Sequence, residues 1–237
     1  MTRPTVLFLH AFPLDSRMWK SQRRAVEEAG WAVAAPDLPG DEPEVSFAAW
    51  AERVLGFVEG DLVPVGNSMG GYLAFELWRQ APDRIRALVL VDTRAGPEPE
   101  DAKQTRNDLI QVVGEDGAGA LWQEDRPAVF AHDAGRGVID AARHLVHEQP
   151  VTGLVAALEA IRDRVDSRPT LSTIDVPVLV VVGEEDDVTP PSEAEALAAV
   201  LPDARLLRIP GAGHLPSLEQ PDEFNRELLA FLGETAA

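Results

Sequence analysis

Short apolar, β-branched runs alternate along this chain with longer amphipathic stretches, and that alternation restricts the fold more than any other feature. The runs are Thr5–Leu9, Trp31–Ala35, Leu62–Val65, Ile85–Val91, Val176–Val182 and Arg205–Ile209. Helices are predicted between them over Ser16–Ala29, Phe47–Val58, Gly70–Gln80, Ser192–Val200 and Asp222–Leu232. Asp15 and Ser46 precede two of these as caps, and Gly30, Gly60 and Gly233 follow as stops. A run such as Val178-Leu179-Val180-Val181-Val182 is apolar at every position. A strand of that kind must be covered on both faces, so the pattern reads as an α/β fold with a parallel sheet between helices.

One region breaks the alternation. From Arg94 to Thr173 the chain carries helical periodicity and no convincing strand, opening with the turn-rich Gly96-Pro97-Glu98-Pro99-Glu100. Helical stretches are predicted near Lys103–Val113, Ala118–Gln123, Arg136–Glu148 and Val151–Val165. An insertion of that length exceeds an ordinary connection and is most simply a cap over one edge of the sheet. The expected organisation is a single domain over 1–237, with a core of 1–93 and 174–237 and a helical cap of 94–173.

Composition removes several chemistries. The 237 residues include no cysteine, which excludes disulfides, thiolate metal sites and cysteine nucleophiles. Forty acidic against 21 basic residues give a net charge of -19, a surface that repels nucleic acid and anionic membranes. The apolar run at Thr5–Leu9 is too short to span a bilayer and no cleavage site follows it, so cytoplasmic residence is the default expectation.

Three loops carry the chemistry, each just after a candidate strand. The first is Gly66-Asn67-Ser68-Met69-Gly70-Gly71, between the run Leu62-Val63-Pro64-Val65 and a helical pattern from Tyr72. Glycines two residues either side of a serine let a strand turn sharply into a helix and project the hydroxyl from the carboxyl edge of the sheet. Read alone, the hexapeptide also fits a plain glycine-rich turn with a capping serine. The second loop is Pro210-Gly211-Ala212-Gly213-His214, whose glycines allow His214 to swing over the sheet. The third is Gly183-Glu184-Glu185-Asp186-Asp187, where a carboxylate could orient an imidazole and stabilise its charged form. Asp186 is preferred there, Asp187 is the fallback, and Asp92 after Ile85–Val91 is the outside candidate. The order Ser, Asp, His is that of the α/β-hydrolase arrangement, and the joint occurrence decides for Ser68, Asp186 and His214.

A tetrahedral oxyanion needs two donors. One is the backbone N–H of Met69, after the nucleophile, and the other falls to Phe12 in His10-Ala11-Phe12-Pro13, the loop following the first strand. His10 reads as a structural residue of that loop. His144 and His147, at helical spacing beside Glu148, resemble a metal pair only superficially, and no metal or organic cofactor is required.

With these residues in hand, the chain resembles the α/β-hydrolase family over essentially its whole length. The matching segments are His10–Pro13, Asp37-Leu38-Pro39-Gly40, Gly66–Gly71, Gly183–Asp186 with Pro190, and Gly211–His214. The resemblance implies a mostly parallel sheet flanked by helices, with a helical lid between the family's sixth and seventh strands. It also favours Asp186 over Asp187, three residues after Gly183. It is similar to small carboxylesterases and enol-lactonase-like hydrolases. Three departures stand out. Only four residues precede Thr5, which implies a sheet lacking the family's first hairpin; Ala11 stands where glycine is usual; and Asp41-Glu42 replaces a usual His-Gly.

The expected substrate is a small-molecule ester or lactone handled by a monomer or homodimer, with no nucleic acid and no membrane as partner. Ester hydrolysis by an acyl-enzyme route competes with a dedicated enol-lactonase or carbon–carbon hydrolase, and with a ligand-binding protein of the same fold that barely turns over.

Overall fold

The computed structural model describes residues 3–38, 45–122 and 128–235. Six strands form one sheet: β1 (Thr5–Leu9), β2 (Val33–Ala34), β3 (Leu62–Asn67), β4 (Leu88–Val91), β5 (Val178–Gly183) and β6 (Ala204–Ile209). They lie in the order β2-β1-β3-β4-β5-β6, and every pairing is parallel. The expected strands are all present, but three begin later than their apolar runs, β5 at Val178 rather than Val176 among them. Only Val33–Ala34 of the second run pairs, and the fourth begins at Leu88, with Ile85 making an isolated bridge to Leu62.

Side chains alternate across the sheet as strand geometry demands. Leu7, Leu9, Leu62, Leu88, Leu90, Val178 and Val180 enter one apolar layer. There they meet α2 (Phe47–Phe57), α3 (Met69–Gln80) and α8 (Pro191–Val200). Val6, Phe8, Val63, Val65, Val89, Val91, Leu179 and Val181 enter the opposite layer. That layer is closed by α1 (Lys20–Glu28) and α10 (Pro221–Thr235), with the short α9 (Pro216–Glu219) leading into α10. Buried on both sides, the central strands have no need of alternating polarity, which is why their sequences read as continuous apolar runs. Helix α10 runs through Gly233 rather than stopping there, since Phe231 and Leu232 are buried and hold the last turn down.

Between β4 and β5 lie α4 (Glu100–Asp116), α5 (Arg136–His147), α6 (Val151–Arg162) and the single turn α7 (Arg168–Leu171). Helices α4 and α6 pack through Val113, Leu154 and Leu158 into a small apolar cluster of their own. Helix α5 instead buries Ile139, Ala142 and Val146 in the layer that holds α1 and α10. The predicted helix near Ala118–Gln123 is a short 3₁₀ turn over Ala118–Leu121, and Gln123 lies outside the described residues.

Trp19 ties α1 to the sheet. Its ring is fully buried, 5.1 Å from Phe8 on β1 and 6.0 Å from Phe224 on α10. Trp19→Ala leaves a cavity between three elements, and we expect a loss of about 3–5 kcal/mol in unfolding free energy by urea titration. A loss below about 1 kcal/mol would show that the layer closes over the gap and does not depend on this side chain.

Candidate active site

Strand β3 turns into α3 at a single residue. Ser68 holds φ 52° and ψ −109°, a conformation costly for an L-residue, at the N-terminus of a twelve-residue helix. The surroundings fix it there. Its N–H donates to the Val91 carbonyl at 2.8 Å, and its carbonyl accepts from the Gly71 N–H and the Thr93 hydroxyl, each at 2.9 Å. A Cβ on Gly66 would overlap the Gly70 backbone, and one on Gly70 would overlap the Leu9 carbonyl, so the corner closes only with glycine at both. The preceding Asn67 is buried, and its amide donates to the carbonyls of Val91, 3.3 Å, and His214, 3.2 Å. That side chain joins the serine corner to the histidine loop.

The predicted acid and base meet. His214 Nδ1 lies 2.8 Å from Asp186 Oδ2, with both residues buried. Asp186 Oδ2 also accepts from the Thr189 hydroxyl at 2.6 Å, and Oδ1 accepts from the N–H groups of Val188 at 2.8 Å and Thr189 at 3.0 Å. Burial works to raise this carboxyl, but the bonds from His214 and Thr189 outweigh it and hold it at about 2. Asp187, the fallback candidate, is exposed. With Nδ1 committed to a carboxylate, Nε2 is the nitrogen left to exchange a proton, as a general base requires.

Asp92 also reaches this point. Its side chain is buried, its φ is +42°, and a carboxylate oxygen of it lies within 4.8 Å of ligand atoms of both Asp186 and His214. One oxygen accepts from the Gly183 N–H at 2.9 Å and the other has no partner among the described residues. Burial first, and then the charge of Asp186, push its carboxyl well above the usual range, so Asp92 is the one of these two acids that holds its proton more readily.

On the other side of Ser68, the loop after β1 is shaped by His10. Its Nε2 accepts from the Leu38 N–H at 2.9 Å, which leaves Nδ1 to donate to the Ala11 carbonyl at 3.1 Å. Burial lowers its basicity, in keeping with a neutral structural ring. Phe12 and Met69 both line a cavity of about 260 Å³ that reaches under Pro150, Gly153 and Leu154 at the start of α6. No described residue accepts a hydrogen bond from the N–H of either Phe12 or Met69. A strap crosses the cavity rim: Arg17 pairs with Asp15 at 2.6 Å and with Glu148 at 2.5 Å, and Gln149 donates to Asp15 at 2.7 Å. Phe12 lines this cavity, whereas Trp19 belongs to the core. Pro39 and Gly40, and the substituted Asp41-Glu42, lie outside the described residues. His144 pairs with Glu148 at 3.2 Å, so its partner is a carboxylate on the same helix face.

Two positioning groups escaped the sequence reading. Thr189 is the buried donor that seats Asp186, and its spacing of three residues from an acid was the available signal. Glu219 accepts from the N–H groups of Gly213 at 3.0 Å, Leu215 at 3.2 Å and Ala131 at 2.7 Å, clamping the histidine loop to the inserted segment. Nothing in its local sequence marks that role.

Two stability effects follow from this geometry. Ser68→Gly relieves the positive φ that Ser68→Ala retains, and we expect the glycine variant to unfold about 1 kcal/mol later than the alanine variant in urea. Equal midpoints would mean that the corner is unstrained. For the carboxyls the signs oppose. Asp186, held at about 2, contributes about 2 kcal/mol above pH ~4 that is lost as pH falls toward 2. Asp92, raised, contributes below pH ~4 and loses that contribution as pH rises. Asp92→Asn therefore raises the unfolding midpoint at pH ~7 and leaves it unchanged at pH ~3, whereas destabilisation at neutral pH would show that Asp92 is ionised and needed so.

The alpha/beta hydrolase family matches residues 6–227. A pimeloyl-[acyl-carrier protein] methyl ester esterase of Aromatoleum aromaticum is 30% identical over 241 residues, covering 94% of this chain and 96% of its own. A thermophilic esterase from Thermogutta terrifontis is 35% identical, covers 100% of this chain and 92% of its own, and superposes with a TM-score of 0.93. The enol-lactonase from Burkholderia xenovorans LB400 shares the fold at 24% identity and a TM-score of 0.83, over 98% of this chain and 92% of its own. No helix among the described residues is long and apolar enough to cross a membrane. The parallel sheet, the serine corner at its carboxyl edge and a family match across nearly the whole length place this chain in the alpha/beta hydrolase family, among relatives that include esterases.

Proposed function

We propose that the chain is a serine hydrolase of small to medium carboxylic esters, with Ser68 as nucleophile, His214 as general base and Asp186 as its orienting acid. The observation that carries this reading is the 2.8 Å contact between buried Asp186 and His214, joined through Asn67 to the strained serine corner. His214 Nε2 takes the Ser68 hydroxyl proton as the oxygen attacks the ester carbonyl. The tetrahedral oxyanion is received by the N–H groups of Phe12 and Met69, each contributing about 3 kcal/mol to transition-state binding. Collapse expels the alcohol, which leaves with the proton held on His214. Water, deprotonated by the same ring, then opens the acyl-enzyme and returns Ser68 with release of the acid. Each step moves one proton and one bonding pair, and none calls on a metal or organic cofactor.

Residues 94–173 act in this reading as the cap over the site, with α6 roofing the acyl cavity. Arg17 is the cavity's one lining cation among the described residues, and Asp15 and Glu148 already neutralise it. That favours an uncharged acyl group. A methyl ester specialist is the narrower form of the proposal, suggested by the named activity of the Aromatoleum aromaticum relative.

The test is hydrolysis of p-nitrophenyl esters from acetate to laurate. Wild-type turnover should fall by about 10⁴-fold or more in Ser68→Ala. Asp186→Asn should fall by about 10³–10⁴-fold while Asp187→Asn stays near wild type. Activity surviving in Ser68→Ala, or a crippled Asp187→Asn beside a mild Asp186→Asn, would overturn the assignments. A folded wild type without turnover would move the reading to a dedicated lactonase, a carbon–carbon hydrolase or a binding protein.

A further inference from the structure

A large concavity shares only Arg17 with the cavity beside Phe12 and Met69. It is a groove of about 840 Å³ between α1 and α5, closed at one end by Leu218 and Pro221. Its two walls differ in chemistry. The α5 wall presents Val138, Ala141 and Leu145, a stripe at helical spacing that borders the core face of Ile139, Ala142 and Val146, with Ala142 shared between groove and core. The α1 wall presents Arg17, Lys20, Arg23 and Arg24, with Glu27 at its far end. Met18 lies between them.

The basic wall is out of character with the chain. Between Ser16 and Val26 there are four cations and no acid, in a sequence of net charge -19. Nor does the helix gain from them. Lys20 opens α1 and Arg23 and Arg24 follow within its first turns, where the dipole favours acids; Glu27 and Glu28 close it, where the dipole favours cations. Each such placement costs a few tenths of a kcal/mol. Arg17 is neutralised by Asp15 and Glu148, and Arg24 has only a 3.9 Å contact with exposed Glu28. Lys20 and Arg23 have no ion-pair partner among the described residues.

We propose that this groove docks an acidic amphipathic helix of a partner protein, its apolar stripe against Val138, Ala141 and Leu145 and its acidic flank along Lys20, Arg23 and Arg24. One apolar wall and one cationic wall match that occupant on both counts. A second copy of this chain fits less well, because a two-fold contact would set the groove against itself, and its lining offers only Glu27 as an acid to four cations. The site also adjoins the esterase cavity, since Arg17 lines both. The proposal is independent of the ester reading.

The experiment uses the full chain and a fluorescent synthetic peptide of about 16 residues, helical over about 24 Å, with leucines at helical spacing and glutamates on one flank. A control peptide carries lysine at the glutamate positions. Anisotropy titration should show saturable binding of the acidic peptide, at least about tenfold weaker for Lys20→Glu/Arg24→Glu, for Ala141→Glu and at ~0.5 M salt. p-Nitrophenyl ester turnover should be the same in all three proteins, which separates this result from any failure of the esterase reading. No binding below about 1 mM peptide, equal binding of the lysine peptide, or indifference to the charge reversal would overturn the proposal. So would self-association, seen by sedimentation and abolished by Ala141→Glu, which would assign the groove to a second copy.

Discussion

The approach of Gly70 to the Leu9 carbonyl is the contact on which the edge of this molecule depends. It lets the first turn of α3 sit against the end of β1, where any side chain would hold them apart. Three consequences share that one closeness. The chain must turn at Ser68 in a conformation only the surrounding hydrogen bonds can hold. The N-terminus of α3, with its unpaired N–H groups, comes to face the loop that carries Phe12. And Phe12 and Met69, far apart in sequence, line the same cavity. Strand order supports the arrangement, because β1, β3 and β4 are neighbours and the loops after them converge.

A chain this acidic must still place carboxyls near its histidine without letting their charges accumulate, and it solves the problem three ways. Asp186 stays ionised because a hydroxyl, two backbone N–H groups and the imidazole all donate to it. Asp92, a few ångströms away, is buried with one donor and the Asp186 charge for a neighbour, so its carboxyl is pushed upward. Glu219 is raised by burial even though three N–H groups reach it. The result is a negative charge held on Asp186, 2.8 Å from Nδ1 of His214, where a ring taking up a proton needs it.

Much of this was legible in the sequence because it is written locally. Continuous apolar strands, the glycines flanking Ser68 and the loops after β3, β5 and β6 are each a few residues long, and each carries its own physical requirement. Strand ends were less legible: Trp31–Ala35 is apolar throughout, yet only Val33–Ala34 pairs with β1, and apolar character alone does not mark where a ladder ends. Contacts between distant segments were not legible at all. Glu219 holding Ala131, Asn67 holding the His214 carbonyl, and Asp92 facing Asp186 arise only when the sheet brings its loops together. Such pairs have no period and no spacing to read.

The inserted segment is bound to the core by polar contacts as well as by packing, and several of those contacts fall on or beside the loop that carries His214. Glu219 joins Ala131 to the histidine loop, the His214 N–H reaches the Val129 carbonyl, and Glu185 accepts from the His132 N–H. At the opposite end, Arg17 spans from Asp15 to Glu148. An insertion held only by apolar contacts could slide over the sheet with little change in energy; one held by directional bonds has a defined register. Displacing the segment around Ala131 would therefore disturb Gly213 and Leu215 through one shared carboxylate, and with them the setting of His214 against Asp186. The segment around Ala131 and the histidine loop are mechanically one unit, while Arg17, exposed and paired with Glu148, is where the inserted segment meets the cationic wall of the groove between α1 and α5.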